Sequence, residues 1–142
     1  KLIKKGGLTM GDQKIDLSQI TCPTFVLNTQ EDHIAPWKCG YAGAQIFGGP
    51  TEFVLGGSGH VAGIFNAPSA NKYGHRMGKD LTQSADQWLI NSSEKDGSWW
   101  VAFDNWLSKL SGPKVDALKP GQHKKYPALE AAPGSFVKKV QA

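Results

Sequence analysis

The sequence predicts an α/β domain built on parallel strands, and three observations predict it. Two short apolar runs, Thr24–Asn28 and Glu52–Leu55, flank a stretch with partial helical spacing that begins at Pro36. Strand, helix and strand in that order, with both strands apolar, make a parallel pair joined by a right-handed crossover. The hydrophobic share of 39%, with five tryptophans in 142 residues, is enough for a real core.

The elements follow in order. Ile15–Ile20 reads as an approach segment, and Pro23 then opens the first strand, Thr24–Asn28. Beyond Glu31 and Asp32, Pro36 sits where a first helical turn tolerates it, and Trp37, Tyr41, Ala44, Gln45 and Phe47 follow until Gly48, Gly49 and Pro50 stop the helix. Glu52–Leu55 is the second strand and runs straight into Gly56-Gly57-Ser58-Gly59-His60. Leu81–Ile90 is expected to be helical. Ser98–Leu110 is the stronger helix, with Trp99, Ala102, Phe103, Trp106 and Leu110 at i, i+3, i+4, i+7 and i+11, ended by Gly112 and Pro113. Residues 113–142 read as an irregular tail. The expected division is thus a structured α/β portion over 1–112 and a basic tail over 113–142.

Charge follows that division. Residues 1–112 hold ten basic and ten acidic side chains, whereas 113–142 hold six lysines against Asp116 and Glu130, so the net charge of +4 lies in the tail. Lysines dispersed among proline, glycine and alanine describe a solvated surface better than a nucleic-acid interface. The longest stretch without Lys, Arg, Asp or Glu is Phe53–Asn71, and its glycines, serines, asparagines and His60 exclude a membrane span. Cys22 and Cys39 are too few for a disulfide framework, so a reducing, cytoplasmic setting is expected. The first residue is Lys1 and the text before the first strand is short and basic, so the sequence is expected to be part of a longer chain.

A parallel pair places both strand C-termini on one sheet edge, where ligand crevices of open α/β sheets lie. Asp32 and His60 are therefore expected to be neighbours. Asp32 could orient an imidazole or act as a base, but an acid just before Pro36 and Trp37 could equally serve a helix N-terminus. His60 follows a glycine-rich turn and precedes the uncharged run Val61–Phe65, which could exclude water; a histidine satisfied within the turn is the competing reading. His33, His75 and His123 are read as structural. Neither cysteine occupies a strand-to-helix elbow, and Ser58 is followed two places on by His60 instead of glycine, so no credible nucleophile is present. No zinc spacing or phosphate-cradling motif occurs. Trp99, Trp100 and Trp106 read as core before they read as a binding stripe.

Against this background, Asp16-Leu17, Ile20, Cys22-Pro23, Asp32 and Gly59-His60 resemble the acid and histidine segments of α/β-hydrolases. Sharper is the resemblance to class I polyhydroxyalkanoate synthases. It is carried by Glu31-Asp32-His33-Ile34 with Pro36-Trp37, by Phe53-Val54-Leu55-Gly56 with Ser58-Gly59-His60-Val61-Ala62-Gly63, by Gly97-Ser98-Trp99-Trp100, and by Ala132-Pro133-Gly134-Ser135-Phe136-Val137-Lys138. It departs at Asn66-Ala67-Pro68, where the family shows Asn-Pro-Pro, and over Tyr73–Met77.

The resemblance implies the last parallel strands and flanking helices of an α/β-hydrolase fold, in the C-terminal part of an acyltransferase. Such enzymes join (R)-3-hydroxyacyl groups from coenzyme A thioesters to a growing polyester and release coenzyme A, which enters as part of the substrate, with no separate cofactor and no metal. It implies a Cys-His-Asp triad with His60 activating an upstream cysteine and Asp32 assigned to the 3-hydroxyl of the incoming unit. It also implies a homodimer and a cytoplasmic enzyme bound to polymer granules, the fragment alone being inactive. An esterase, thioesterase or depolymerase of the same fold, and a non-catalytic granule- or partner-binding piece, remain the alternatives.

Overall fold

The computed structural model describes residues 3, 4 and 6–139 and divides the chain into two units, one ending at Leu110 and the other starting at Ser111. In the first unit a hairpin of β1 (Leu8–Met10) and β2 (Gln13–Ile15) turns at Gly11, whose φ of 57° suits glycine. A short 3₁₀ turn, Leu17–Gln19, follows; Asp16 caps it by accepting from the Ser18 amide at 3.1 Å. The expected approach segment is thus the end of a hairpin and a capped turn.

The main sheet has the order β3 (Thr24–Thr29), β4 (Thr51–Gly56), β5 (His75–Met77), β6 (Ser93–Lys95). β3 and β4 are parallel in the register Thr24↔Thr51 to Thr29↔Gly56; β5 pairs antiparallel with β4, and β6 pairs antiparallel with β5, so that β6 runs in the direction of β3 and β4. The expected α/β class and the expected parallel pair are both present. Neither β5 nor β6 is among the strands that the sequence predicts.

α1 (Trp37–Ala44) makes the crossover between the parallel strands. Its exit is held where the Gly48 and Gly49 amides both donate to the Ile20 carbonyl at 3.0 Å. A Cβ at Gly48 would lie 2.0 Å from the Ser18 carbonyl oxygen, so the chain can pass there only as glycine.

Alternation along the strands builds two layers. Phe53 and Leu55 face Trp37, Tyr41 and Ala44 of α1 and Trp88 of α2 (Ala85–Asn91), forming the buried core. Phe53 meets Tyr41 and Trp88 edge-on at 5.1 and 5.0 Å, the geometry that aromatic quadrupoles favour. On the other face Phe25 meets Trp99, Phe103 and Trp106 of α3 (Trp99–Leu110) at 6.4, 5.2 and 5.4 Å. Two of the three tryptophans of that helix therefore line the sheet, as a core stripe does.

α2 starts four residues later than the spacing from Leu81 suggested. Asp80 accepts from the amide and hydroxyl of Thr82, which makes a local turn, and Ser84 then caps the helix by accepting from the Gln87 amide. In the second unit β7 (Gln122–His123) and β8 (Tyr126–Pro127) form a two-rung hairpin, and α4 (Ser135–Lys138) is a single turn. Among the described residues no helix is long and apolar enough to cross a membrane.

Candidate active site

The sheet register carries the site. Past the strand ends, the Gln30 amide donates to the Gly56 carbonyl at 2.8 Å and the Glu31 amide to the Ser58 carbonyl at 3.0 Å, so the two loops leave the sheet side by side. Asp32 and His60 are the next side chains along those loops. His60 Nδ1 lies 2.7 Å from Asp32 Oδ2.

Asp32 is held on both oxygens. Its Oδ1 accepts from the amides of Ile34 and Ala35, each at 2.9 Å, while Oδ2 faces the imidazole. The Ala35 amide is the main cause that draws its carboxyl down to about 2; burial opposes this, and the hydrogen bond with His60 and the Ile34 amide add to it. The amides that Asp32 receives belong to loop residues Ile34 and Ala35 ahead of α1, whose N-cap Pro36 takes no side-chain bond, so Asp32 bonds the histidine and its own loop and does not cap the helix. Only 7% of its side chain is exposed against 46% for His60, so the acid is sheltered and the imidazole is reachable.

The histidine loop is tightly wound. Ser58 sits at φ 66°, a left-handed conformation that a non-glycine residue adopts only where its surroundings impose it. From there the chain makes one helical turn, with the Gly63 amide donating to Gly59 and the Phe65 amide to Val61 at 2.9 Å each. A Cβ on Gly63 would stand 2.5 Å from both the Gly57 carbonyl oxygen and Thr29 Cγ2, which excludes a larger residue. Trp99 and Trp100 reach this turn from α3, donating their indole N–H groups to the carbonyls of Gly63 and Ile64 at 3.0 and 2.9 Å. Sequence reasoning saw the two tryptophans but not their partners, which lie 36 residues away and carry no side-chain signal.

The remaining candidates lie elsewhere. His75 is 6% exposed and donates through Nδ1 to the Gly97 carbonyl at 2.9 Å, and His123 stacks on Tyr126. His33 is exposed beside Asp32. Cys22 and Cys39 are both exposed. Cys22 precedes the start of β3, about 20 Å along a six-residue strand from the Asp32 loop. Among the described residues no group of three His, Cys, Asp or Glu could hold a metal ion.

No family model matches the chain. It is 40% identical over 133 residues to the poly(3-hydroxyalkanoate) polymerase subunit PhaC of Cupriavidus necator, an alignment covering 94% of this chain and 23% of that protein. To the Rhizobium etli protein of the same name it is 40% identical over 130 residues, 92% of this chain and 20% of the other. To the poly(3-hydroxyalkanoate) polymerase of Methylorubrum extorquens it is 37% identical over 137 residues, 96% and 22%. The chain spans between a fifth and a quarter of the length of these relatives. Identity sustained across more than nine-tenths of the chain, against proteins from three organisms, places it in the poly(3-hydroxyalkanoate) polymerase family, as the C-terminal portion.

Proposed function

We propose that this chain supplies the acid and the base of a Cys-His-Asp triad in an acyltransferase that polymerises (R)-3-hydroxyacyl units from coenzyme A thioesters. The contact between His60 Nδ1 and Asp32 Oδ2 carries the proposal. A hydrogen bond through Nδ1 fixes the tautomer and leaves Nε2 to meet a reacting proton. In this reading Nε2 takes the thiol proton of a cysteine supplied from outside the present sequence, and the thiolate attacks the thioester carbonyl. Coenzyme A leaves as its thiol, and the acyl group stays on the cysteine until the hydroxyl of a second unit displaces it.

The geometry favours Asp32 as the residue that orients and stabilises the imidazolium. A carboxyl drawn down to about 2, with one oxygen occupied by two amides, is a weak proton acceptor at neutral pH. Activation of the incoming 3-hydroxyl then falls to His60 in a second use.

The test measures coenzyme A release by the full-length protein carrying Asp32→Asn or His60→Gln. Loss of one proton-transfer group is expected to cost about a hundredfold or more. Rates within a few fold of the parent would sink the assignment. On the family resemblance alone, the intact enzyme is further proposed to act in the cytoplasm as a homodimer at the granule surface, binding the growing polyester. Sedimentation and granule fractionation of the full-length protein check both.

A further inference from the structure

The turn that carries His60 is held within itself by amides of Gly63, Ile64 and Phe65. It ends after Phe65, and the last carbonyls of such a turn have no partner within it. Two of those carbonyls, on Gly63 and Ile64, are met by the indole N–H groups of adjacent residues, Trp99 and Trp100. Adjacent side chains on a helix diverge by about 100°, yet both indoles reach this one turn. Trp99 and Trp100 open α3.

The start of α3 is itself fixed from the sheet. Buried His75 of β5 donates to the Gly97 carbonyl, and Ser98, 4% exposed, accepts from the Trp100 amide at 3.1 Å. Gly97 takes φ 77°, which turns the chain from β6 into the helix. Hydrogen bonds and the backbone of Gly97 to Trp100 thus link β5 to the loop of His60.

We infer that Trp99 and Trp100 are positioning residues: their paired indole donors clamp the Gly63–Ile64 end of the His60 turn and so set the imidazole against Asp32. This deepens the functional reading above and rests on it. The indole nitrogens matter beyond the packing of the rings, because the rings of Trp99 and Trp106 both touch Phe25 whereas the bond to the His60 turn comes from the first of them.

The experiment removes the donors and keeps the rings. In the full-length protein, Trp99→Phe, Trp100→Phe and their double variant are compared with Trp106→Phe, and the Nδ1 proton of His60 is followed by NMR alongside steady-state turnover. The double variant is expected to broaden or move the Nδ1 resonance and to lower kcat about tenfold or more with KM within about twofold, since small misplacement of a reacting group is costly. Trp106→Phe should leave the resonance in place. If a phenylalanine variant fails to fold, 3-benzothienylalanine at either position removes the N–H while keeping the bicyclic shape. A resonance unchanged in the double variant, or in both benzothienyl proteins, overturns the clamp whatever the rate does. His60→Gln is run beside them: unaffected turnover there would sink the triad assignment, while a moved resonance in the tryptophan variants would still establish the clamp.

Discussion

Glu31 donates its backbone amide to the carbonyl of Ser58, the second of two hydrogen bonds past the ends of the parallel strands. That bond ties together the two loops that leave the sheet, so Asp32 and His60 meet directly beside it. The expected behaviour of individual residues follows from such local restraints.

Asp32 should titrate at about 2, well below the ordinary aspartate value of 3.8, when its carboxyl carbon is followed by NMR. Because the folded value is depressed, the stability it contributes is complete above the ordinary value and is lost as pH falls toward about 2. The difference in unfolding midpoint between the parent and Asp32→Asn should therefore be constant above about pH 4 and shrink below it. A midpoint near the ordinary value would refute the cage of two amides and an imidazole.

Gly63→Ala should be destabilising by about 1–3 kcal/mol in chemical unfolding, the range for forcing a methyl into a filled space. The atoms in the way include the Gly57 carbonyl, which is backbone and cannot rotate aside. The same substitution at Gly43, where a Cβ meets nothing within 4 Å, should be neutral or stabilising.

Trp88→Ala should cost about 3–5 kcal/mol, as removal of a buried large aromatic does. Trp88 is 1% exposed and touches Trp37, Tyr41 and Phe53. Trp88→Phe should cost less but still leave the Gly78 carbonyl without the indole donor that meets it at 3.2 Å. Equal losses for the two variants would show that the hydrogen bond, not the packing, dominates.

Ser84→Ala should lower stability by about 1 kcal/mol through the lost cap of α2, and Ser84→Asp should restore it. Asp86→Asn, which breaks an exposed pair with Lys38, should change unfolding by less than about 1 kcal/mol. A larger effect at Asp86 than at Ser84 would reverse that ranking.

The parallel pair is legible in the sequence because its strands are apolar and end on polar or glycine-rich loops, and the same topology predicts Asp32 near His60. β5 and β6 are not. His75-Arg76-Met77 and Ser93-Glu94-Lys95 are three residues each, with no alternation, and they are strands only because each pairs with its neighbour. The start of α2 was misplaced because Leu81 and Ala85 keep helical spacing while Asp80 diverts the local amides. The indole clamp was illegible for a different reason: its acceptors are backbone carbonyls, which every residue possesses.

The strand order gives the sheet a growing side and a finished side. β6 ends it with three exposed residues, two of them charged, a margin that resists further pairing. β3, at the opposite margin, offers six residues without a charge, Thr24-Phe25-Val26-Leu27-Asn28-Thr29, and among the described residues pairs on one flank only. Recruitment is thereby one-directional. Whatever strand joins this sheet must enter beside Phe25 and Leu27, and its C-terminal end, if it runs parallel, arrives next to Asp32. The polypeptide kept by itself should be captured along the same seam by its own copies, and a detergent-free preparation of it would be recovered as aggregates.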